Sequence, residues 1–144
     1  GYGTLCLAAG LAAGGRMDTV EVNDELAWLI RKYLRRAGLE EQVSLHLGDA
    51  VELLPALAGP YELVFLDAGK HDYIRHYELV MEKVAPGGLI LADNVLWSGK
   101  VVETPEDPDA RLLHAFNAHV QQDERVENVL LPLRDGLMIA RKLS

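Results

Sequence analysis

Residues 63–66, Leu-Val-Phe-Leu, form an unbroken apolar run that stops at Asp67, with Lys70 three residues on. The run is short, β-branched and aromatic, and it does not alternate. That predicts a strand buried on both faces, as in a parallel sheet. Asp is depleted in strands, so propensity does not explain the carboxylate at its end. The pattern recurs: residues 17–21 end in Glu21, residues 43–49 in Asp49, and residues 89–94 in Asp93 and Asn94. Four predicted strands each deliver an acid at the C-terminal end, where open parallel sheets bind their ligands. A single such acid reads equally well as an N-cap for the next helix. Four on one sheet edge, with Lys70 and Asn94 beside them, favour a functional edge.

Helical spacing separates the runs. Leu5, Ala8, Ala9 and Ala12 predict a helix within residues 1–13, stopped by Gly14-Gly15. Asn23 or Asp24 caps a second helix, whose apolar positions Leu26, Leu29, Ile30, Tyr33, Leu34 and Ala37 keep a 3.6 period up to Gly38. Val43, Leu45 and Leu47 alternate with Ser44 and His46, which predicts an edge strand with one wet face and an exposed, non-ligating His46. Asp49 starts a short helix ending near Gly59-Pro60. Tyr73, Ile74, Tyr77, Val80, Met81 and Val84 mark another helix, broken by Pro86-Gly87-Gly88. Residues 96–106 read as the longest irregular piece, and loops longer than their connection needs are often functional. Asp107-Pro108 begins a helix with Leu112, Leu113, Phe116 and Val120 inward. Residues 126–133 and 137–143 are strands joined by Arg134-Asp135-Gly136, a hairpin signal. The order predicts an α/β fold, a doubly wound, Rossmann-like, mainly parallel sheet ending in an antiparallel hairpin.

A chain of 144 residues fits one domain. Fourteen Lys and Arg against 22 Asp and Glu, a net charge of −8, argue against a broad phosphate-binding surface. Arg31, Lys32, Arg35 and Arg36 form a local basic patch, which on a helix reads as a solvated face. The lone Cys6 rules out a disulfide framework and reads as a small buried hydrophobe. No apolar run reaches the roughly 18 residues of a membrane span, and no signal peptide is visible. The expectation is a cytoplasmic protein without a membrane partner.

With Asp67-x-x-Lys70, Asp93-Asn94 and the closing hairpin in place, the chain resembles the metal-dependent O-methyltransferases that use S-adenosylmethionine, the catechol and caffeoyl-CoA O-methyltransferase group. The stretches that carry the resemblance are GYGTLCLA (1–8), VEVN (20–23), GDA (48–50), VFLDAGK (64–70), PGGLILADNVLWSGKV (86–101) and LRDGLMIARK (133–142). The resemblance implies a class I methyltransferase fold, with residues 1–144 as one methyltransferase domain. It places Gly1, Tyr2 and Gly3 in the cofactor loop, with Tyr2 near the methionine part. It puts Glu21 and Val22 at the ribose, Gly48, Asp49 and Ala50 at the adenine, and Asp67 and Ala68 alongside the cofactor. It implies that Asp67, Asp93 and Asn94 hold one Mg²⁺ or another divalent cation. It makes Lys70 the general base, with Asp67 beside it in catalysis. Lys70, Asn94 and Trp97 would contact a small hydroxylated aromatic acceptor, Trp97 walling its ring.

The implied chemistry is coherent. A phenol with a pKa of about 10 is a poor nucleophile at neutral pH, and a bound dication favours its ionised form. Gly3 departs from the family's usual Ser, and Gly69 from a usual acid or aromatic residue. The family's first strand, its glycine-rich start and its N-terminal helices have no counterpart in these residues. The resemblance therefore implies an N-terminally truncated domain, with a central strand missing between those at residues 17 and 61, and a homodimer when full length. Three further readings stay open. One is an RNA methyltransferase of the same family acting on a hydroxylated base, which the acidic balance disfavours. Another is a nicotinamide-dependent dehydrogenase, which Glu21 fits but the absent G-x-G-x-x-G does not. The third is a non-catalytic nucleotide-binding domain, which leaves Lys70 without a role.

Overall fold

The computed structural model describes residues 1–103 and 106–144. They form two compact units, Gly1–Ala56 and Leu57–Ser144. No helix among the described residues is long and apolar enough to cross a membrane.

The first unit runs α1 (Tyr2–Ala8), β1 (Met17–Glu21), a 3₁₀ turn at Asp24–Leu26, α2 (Ala27–Ala37), β2 (Val43–Leu47) and α3 (Ala50–Leu53). β1 and β2 pair in parallel, from Met17 opposite Val43 to Glu21 opposite Leu47. Ala8, Ile30, Leu34 and Val43 form the core, with Leu5, Leu11, Met17, Leu39 and Leu45 packed on it. α1 stops well short of Gly14. Gly10, which costs about 1 kcal/mol in a helix interior, turns the chain through i→i−3 bonds from Gly10 N to Leu7 O and Leu11 N to Ala8 O. α1 buries only Ala8, so Cys6 lies on its outer face, exposed rather than buried. α2 ends at Gly38 as its sequence predicts but begins later, at Ala27 behind an uncapped Leu26, because Asn23 caps the 3₁₀ turn that precedes it. Asn23 Oδ1 accepts the Glu25 amide at 3.0 Å, and Gly38 closes the helix at φ +69°. Its buried stripe is narrower than the period suggested, since Leu26 and Tyr33 are exposed. On β2, Val43 is buried but Leu47 is exposed. His46 is half-buried rather than free in solvent, with Nε2 2.7 Å from Asp18 Oδ1 on β1.

The second unit runs β3 (Tyr61–Leu66), a 3₁₀ turn at Lys70–Asp72, α4 (Tyr73–Met81), β4 (Val84–Asp93), α5 (Lys100–Glu103), α6 (Pro108–Gln121), β5 (Val126–Leu131) and β6 (Leu137–Lys142). Its sheet has the order β3-β4-β6-β5, with β3 parallel to β4 and the other pairs antiparallel. Among the described residues β3 pairs only with β4, and the face carrying Leu63 and Phe65 is open rather than buried. Leu63 is 44% and Phe65 36% exposed, while Leu66 is buried.

β4 starts earlier than expected and runs through Pro86-Gly87-Gly88, because the register with β3 shifts between Tyr61 and Leu63 and absorbs the extra residues. A Cβ at Gly88 would lie 2.9 Å from Ala85 O and 3.0 Å from Tyr61 O, so only glycine fits there. The predicted loop at residues 96–106 contains α5, and its residues 104–105 lie outside the described residues. Asp107 caps α6, its Oδ1 accepting from Ala110 N at 3.0 Å. The hairpin strands end sooner than expected, at Leu131 and Lys142.

The core faces also differ in detail. Ile74 and Leu112 are exposed, and Val84 belongs to β4. His76 and Ala110 take the buried positions. Tyr73 and Tyr77, 1% and 0% exposed, both set their rings edge-on to Phe116 of α6, at 5.2 and 6.0 Å. Such pairs add about 0.5–1.5 kcal/mol beyond area burial. Tyr77 Oη also donates to Asp123 Oδ2 at 2.9 Å. Arg125 donates to Asp123 and to Glu78, and His119 Nε2 lies 2.6 Å from Glu78 Oε1. The Arg125 guanidinium holds the Asp123 carboxyl well below the usual carboxylate range.

Candidate active site

Leu66 pairs with Ala92, so β3 and β4 deliver Asp67 and Asp93 at the same level. Parallel neighbours lie about 4.8 Å apart. Asn94 follows at φ 60°, a left-handed conformation that Asn tolerates, and its N–H donates to Asp93 Oδ1 at 2.7 Å. Lys70 opens the 3₁₀ turn before α4. Its Nζ donates to Tyr73 Oη at 2.6 Å and reaches Asn94 Oδ1 at 3.4 Å. The Trp97 ring centroid lies 5.8 Å from Nζ.

The loop carrying Asn94 and Trp97 is held from outside. Val95 N donates to Gly136 O and Leu96 N to Asp135 O at 2.7 Å, both in the β5–β6 connection. Ser98 Oγ lies 3.2 Å from Asp135 Oδ1, and Asn117 Nδ2 donates to Val95 O. These bonds sustain positive φ at Asn94, Trp97 and Ser98, a conformation that costs energy for residues other than glycine. Gly136 has φ +85°, and a Cβ there would lie 2.8 Å from Leu96 N.

Burial pushes the Lys70 ammonium below its ordinary pKa, against the opposing pull of Asp67, Asp93, Asp109 and Asp135. Burial, with Asp67 and Asp93 adding to it, pushes the Tyr73 hydroxyl well above its ordinary value, so it stays a neutral phenol. Tyr73 is the residue that sequence reasoning missed, having read it only as an apolar helix position. The available signal was Lys70-x-x-Tyr73, since residues three apart at a helix start share a side. From the sequence Asp135 likewise reads only as part of a turn.

In the first unit, Glu21, Gly48 and Asp49 come together at the C-terminal ends of β1 and β2, where Gly48 N donates to Glu21 O at 3.0 Å. Glu21 Oε1 accepts from Asn23 N at 3.0 Å, with Val22 exposed between them. Asp49 Oδ1 accepts from Val51 N at 2.8 Å, capping α3 just before Ala50. Gly1 and Gly3 flank Tyr2 at the start of α1, and Tyr2 is 84% exposed. Thr4 Oγ1 and Thr19 Oγ1, 3.1 Å apart, tie this turn to β1. In the second unit, Ala68 follows Asp67 on the exposed turn, and a Cβ at Gly69 would meet the His71 ring at 2.7 Å.

Asp67, Asp93 and Asn94 offer only oxygen donors, which suit a hard cation such as Mg²⁺ rather than zinc or copper. Among the described residues no three His, Cys, Asp or Glu side chains form a metal-binding group. A metal here would therefore need the Asn94 amide oxygen.

The O-methyltransferase family model matches residues 1–143. The chain belongs to the O-methyltransferase family. It is 34% identical over 150 residues to a catechol O-methyltransferase of Niastella koreensis, a match covering 97% of this chain and 68% of that protein. It is 30% identical to caffeoyl-CoA O-methyltransferase 1 of Eucalyptus globulus, covering 100% of this chain and 63% of the relative. The O-methyltransferase of Bacillus cereus solved in complex with SAH superposes with a TM-score of 0.92 at 30% identity, over 99% of this chain and 69% of that one. The fold is that of the class I methyltransferases, and the chain spans about two thirds of the length of these relatives.

Proposed function

We propose that the protein carrying this chain transfers the methyl group of S-adenosylmethionine to a hydroxyl of a small catechol-like aromatic, with a divalent cation at Asp67, Asp93 and Asn94. The observation that carries the proposal is Lys70. It is a partly buried amine with a lowered pKa, standing beside two strand-end carboxylates and 3.4 Å from Asn94 Oδ1. Relatives named for catechol and caffeoyl-CoA, and a solved relative in complex with SAH, support it.

S-adenosylmethionine supplies an electrophilic methyl group on a positively charged sulfur, which keeps the carbon–sulfur electron pair after transfer. A divalent cation supplies Lewis-acid stabilisation of a developing oxyanion. Lys70 as the free amine takes the hydroxyl proton onto its lone pair and becomes an ammonium. The acceptor oxygen keeps the O–H electron pair, which becomes its bond to the methyl carbon. Trp97 presents an aromatic wall beside Nζ, suited to an aromatic acceptor. Glu21 offers two oxygens to the cis-diol of the ribose. A carboxylate accepts about four hydrogen bonds, so its single bond from Asn23 N leaves capacity for both hydroxyls.

A second reading, methylation of a hydroxylated base in RNA, has one observation in its favour. The exposed face of α2 carries Arg31, Lys32, Arg35 and Arg36, with Trp28 65% exposed among them. Methyl transfer to a catechol panel and to bulk RNA, with and without Mg²⁺, tests both. Metal-dependent turnover of a catechol is expected. Turnover of RNA alone would replace the first reading by the second.

A further inference from the structure

The geometry points to Tyr73 as the residue that positions Lys70 for proton transfer, its phenol acting as a fixed acceptor that aims the amine. The inference rests on the reading of Lys70 as the base and adds a second residue to it. Tyr73 is 1% exposed. Its ring stands edge-on to Phe116 of α6 at 5.2 Å, so the side chain has little room to move. Its hydroxyl lies 2.9 Å from Asp93 O and 3.3 Å from Leu66 O, the carbonyls at the ends of β4 and β3. A phenol has one hydrogen. Those carbonyls take it, so towards Lys70 the Tyr73 oxygen can only accept.

Lys70 Nζ, 2.6 Å away, must therefore point an N–H at it. An amine has two N–H bonds and one lone pair. With one hydrogen committed to Tyr73, the lone pair is directed away from that hydroxyl. Without this anchor a lysine on a four-carbon stem samples many directions. The same hydroxyl also registers the amine against both strand ends, because it bonds the backbone of the residue before Asp67 and of Asp93 itself.

The test is a double-mutant cycle in the intact protein. Tyr73→Phe keeps the ring and removes only the hydroxyl. It should lower kcat about tenfold to a hundredfold, the usual cost of a misaimed reacting group, with KM for the acceptor changed less than about twofold. In a Lys70→Ala background, followed with radiolabelled methyl donor, the same change should alter kcat less than about twofold, because the residue being aimed is gone. An equal loss in both backgrounds would show that Tyr73 acts on the scaffold rather than through Lys70, and the proposal fails. Full activity of Tyr73→Phe also overturns it while leaving Lys70 as the base. Full activity of Lys70→Ala sinks the base reading itself, and this inference with it. A measurement on the unaltered protein needs no variant to fold: a nuclear Overhauser contact between the Lys70 ε-protons and the Tyr73 ring is expected, and its absence refutes the arrangement.

Discussion

The strand-end acids of the two units share one sequence signature and have different surroundings. In Gly1–Ala56, Glu21 accepts the amide of Asn23, and Asp49 accepts that of Val51, each two residues on. These are local turn bonds of the kind Asp and Asn make wherever a helix begins. In Leu57–Ser144, Asp67 and Asp93 act on a lysine and a buried tyrosine that α4 and its leading turn bring to them. An acid at the end of a predicted strand does not by itself announce chemistry. A lysine three residues later, with its nitrogen on a buried hydroxyl, is what separates the second pair from the first.

The comparison can be broken first at Lys70. Lys70→Ala should cut turnover by about 10²–10⁴-fold, the usual range for a positioned acid–base group, while calorimetry finds cofactor affinity hardly changed. Lys70→Arg should be as inactive, since a guanidinium does not deprotonate near neutrality. An active Arg variant would reduce Lys70 to a structural ion-pair partner. Next is Glu21. If its local bond to Asn23 leaves it free to serve the ribose, Glu21→Ala should weaken S-adenosylmethionine binding about tenfold to a hundredfold, the range for hydrogen bonds to a charged group. Unchanged affinity would make Glu21 a turn residue only.

Two smaller effects concern stability. Asp123, enclosed by Arg125 and Tyr77, should cost about 2–3 kcal/mol as Asp123→Ala, because a buried tyrosine hydroxyl loses its partner. Its carboxyl is depressed by Arg125, so its contribution is complete above the unfolded pKa of about 3.9 and fades as pH falls through the lower folded value. Denaturant midpoints followed from pH 6 down to 3 should therefore fall more gently in the variant than in the parent. Asp49→Ala removes a single exposed cap and should cost about 1 kcal/mol. A cost as large as that at Asp123 would mean Asp49 does more in the fold than cap α3.

Features set by local chemistry were legible in advance. Asn23 at the turn leading into α2, Gly38 and Asp107-Pro108 act within a few residues of themselves, and each lies where its sequence put it. Features that depend on what packs alongside were not. The apolar run of β3 resembles a strand buried on both faces, yet Leu63 and Phe65 are exposed on one of them, and what covers a face is not written in the strand itself. Ile74, Leu112 and Cys6 kept an apolar identity without finding a surface to cover. Of the site, Asp67, Lys70, Asp93 and Asn94 could be named from motif and strand end. Tyr73 could not, because its role depends on where the ends of β3 and β4 present their carbonyls. Asp135 reaches Ser98 only because β6 lies beside β4.

Gly136 bears on how this site can change. With any side chain at this position, the β5–β6 connection would press into the backbone nitrogen of Leu96, and the positive φ adds a second penalty. The loop bearing Asn94 and Trp97 therefore inherits its path from the hairpin and cannot wander while the hairpin stays. Under the proposed function, new acceptor preferences should arise by exchanging side chains on a fixed path rather than by rerouting it. Saturation libraries read this directly: many functional survivors are expected at Trp97, and glycine alone at position 136.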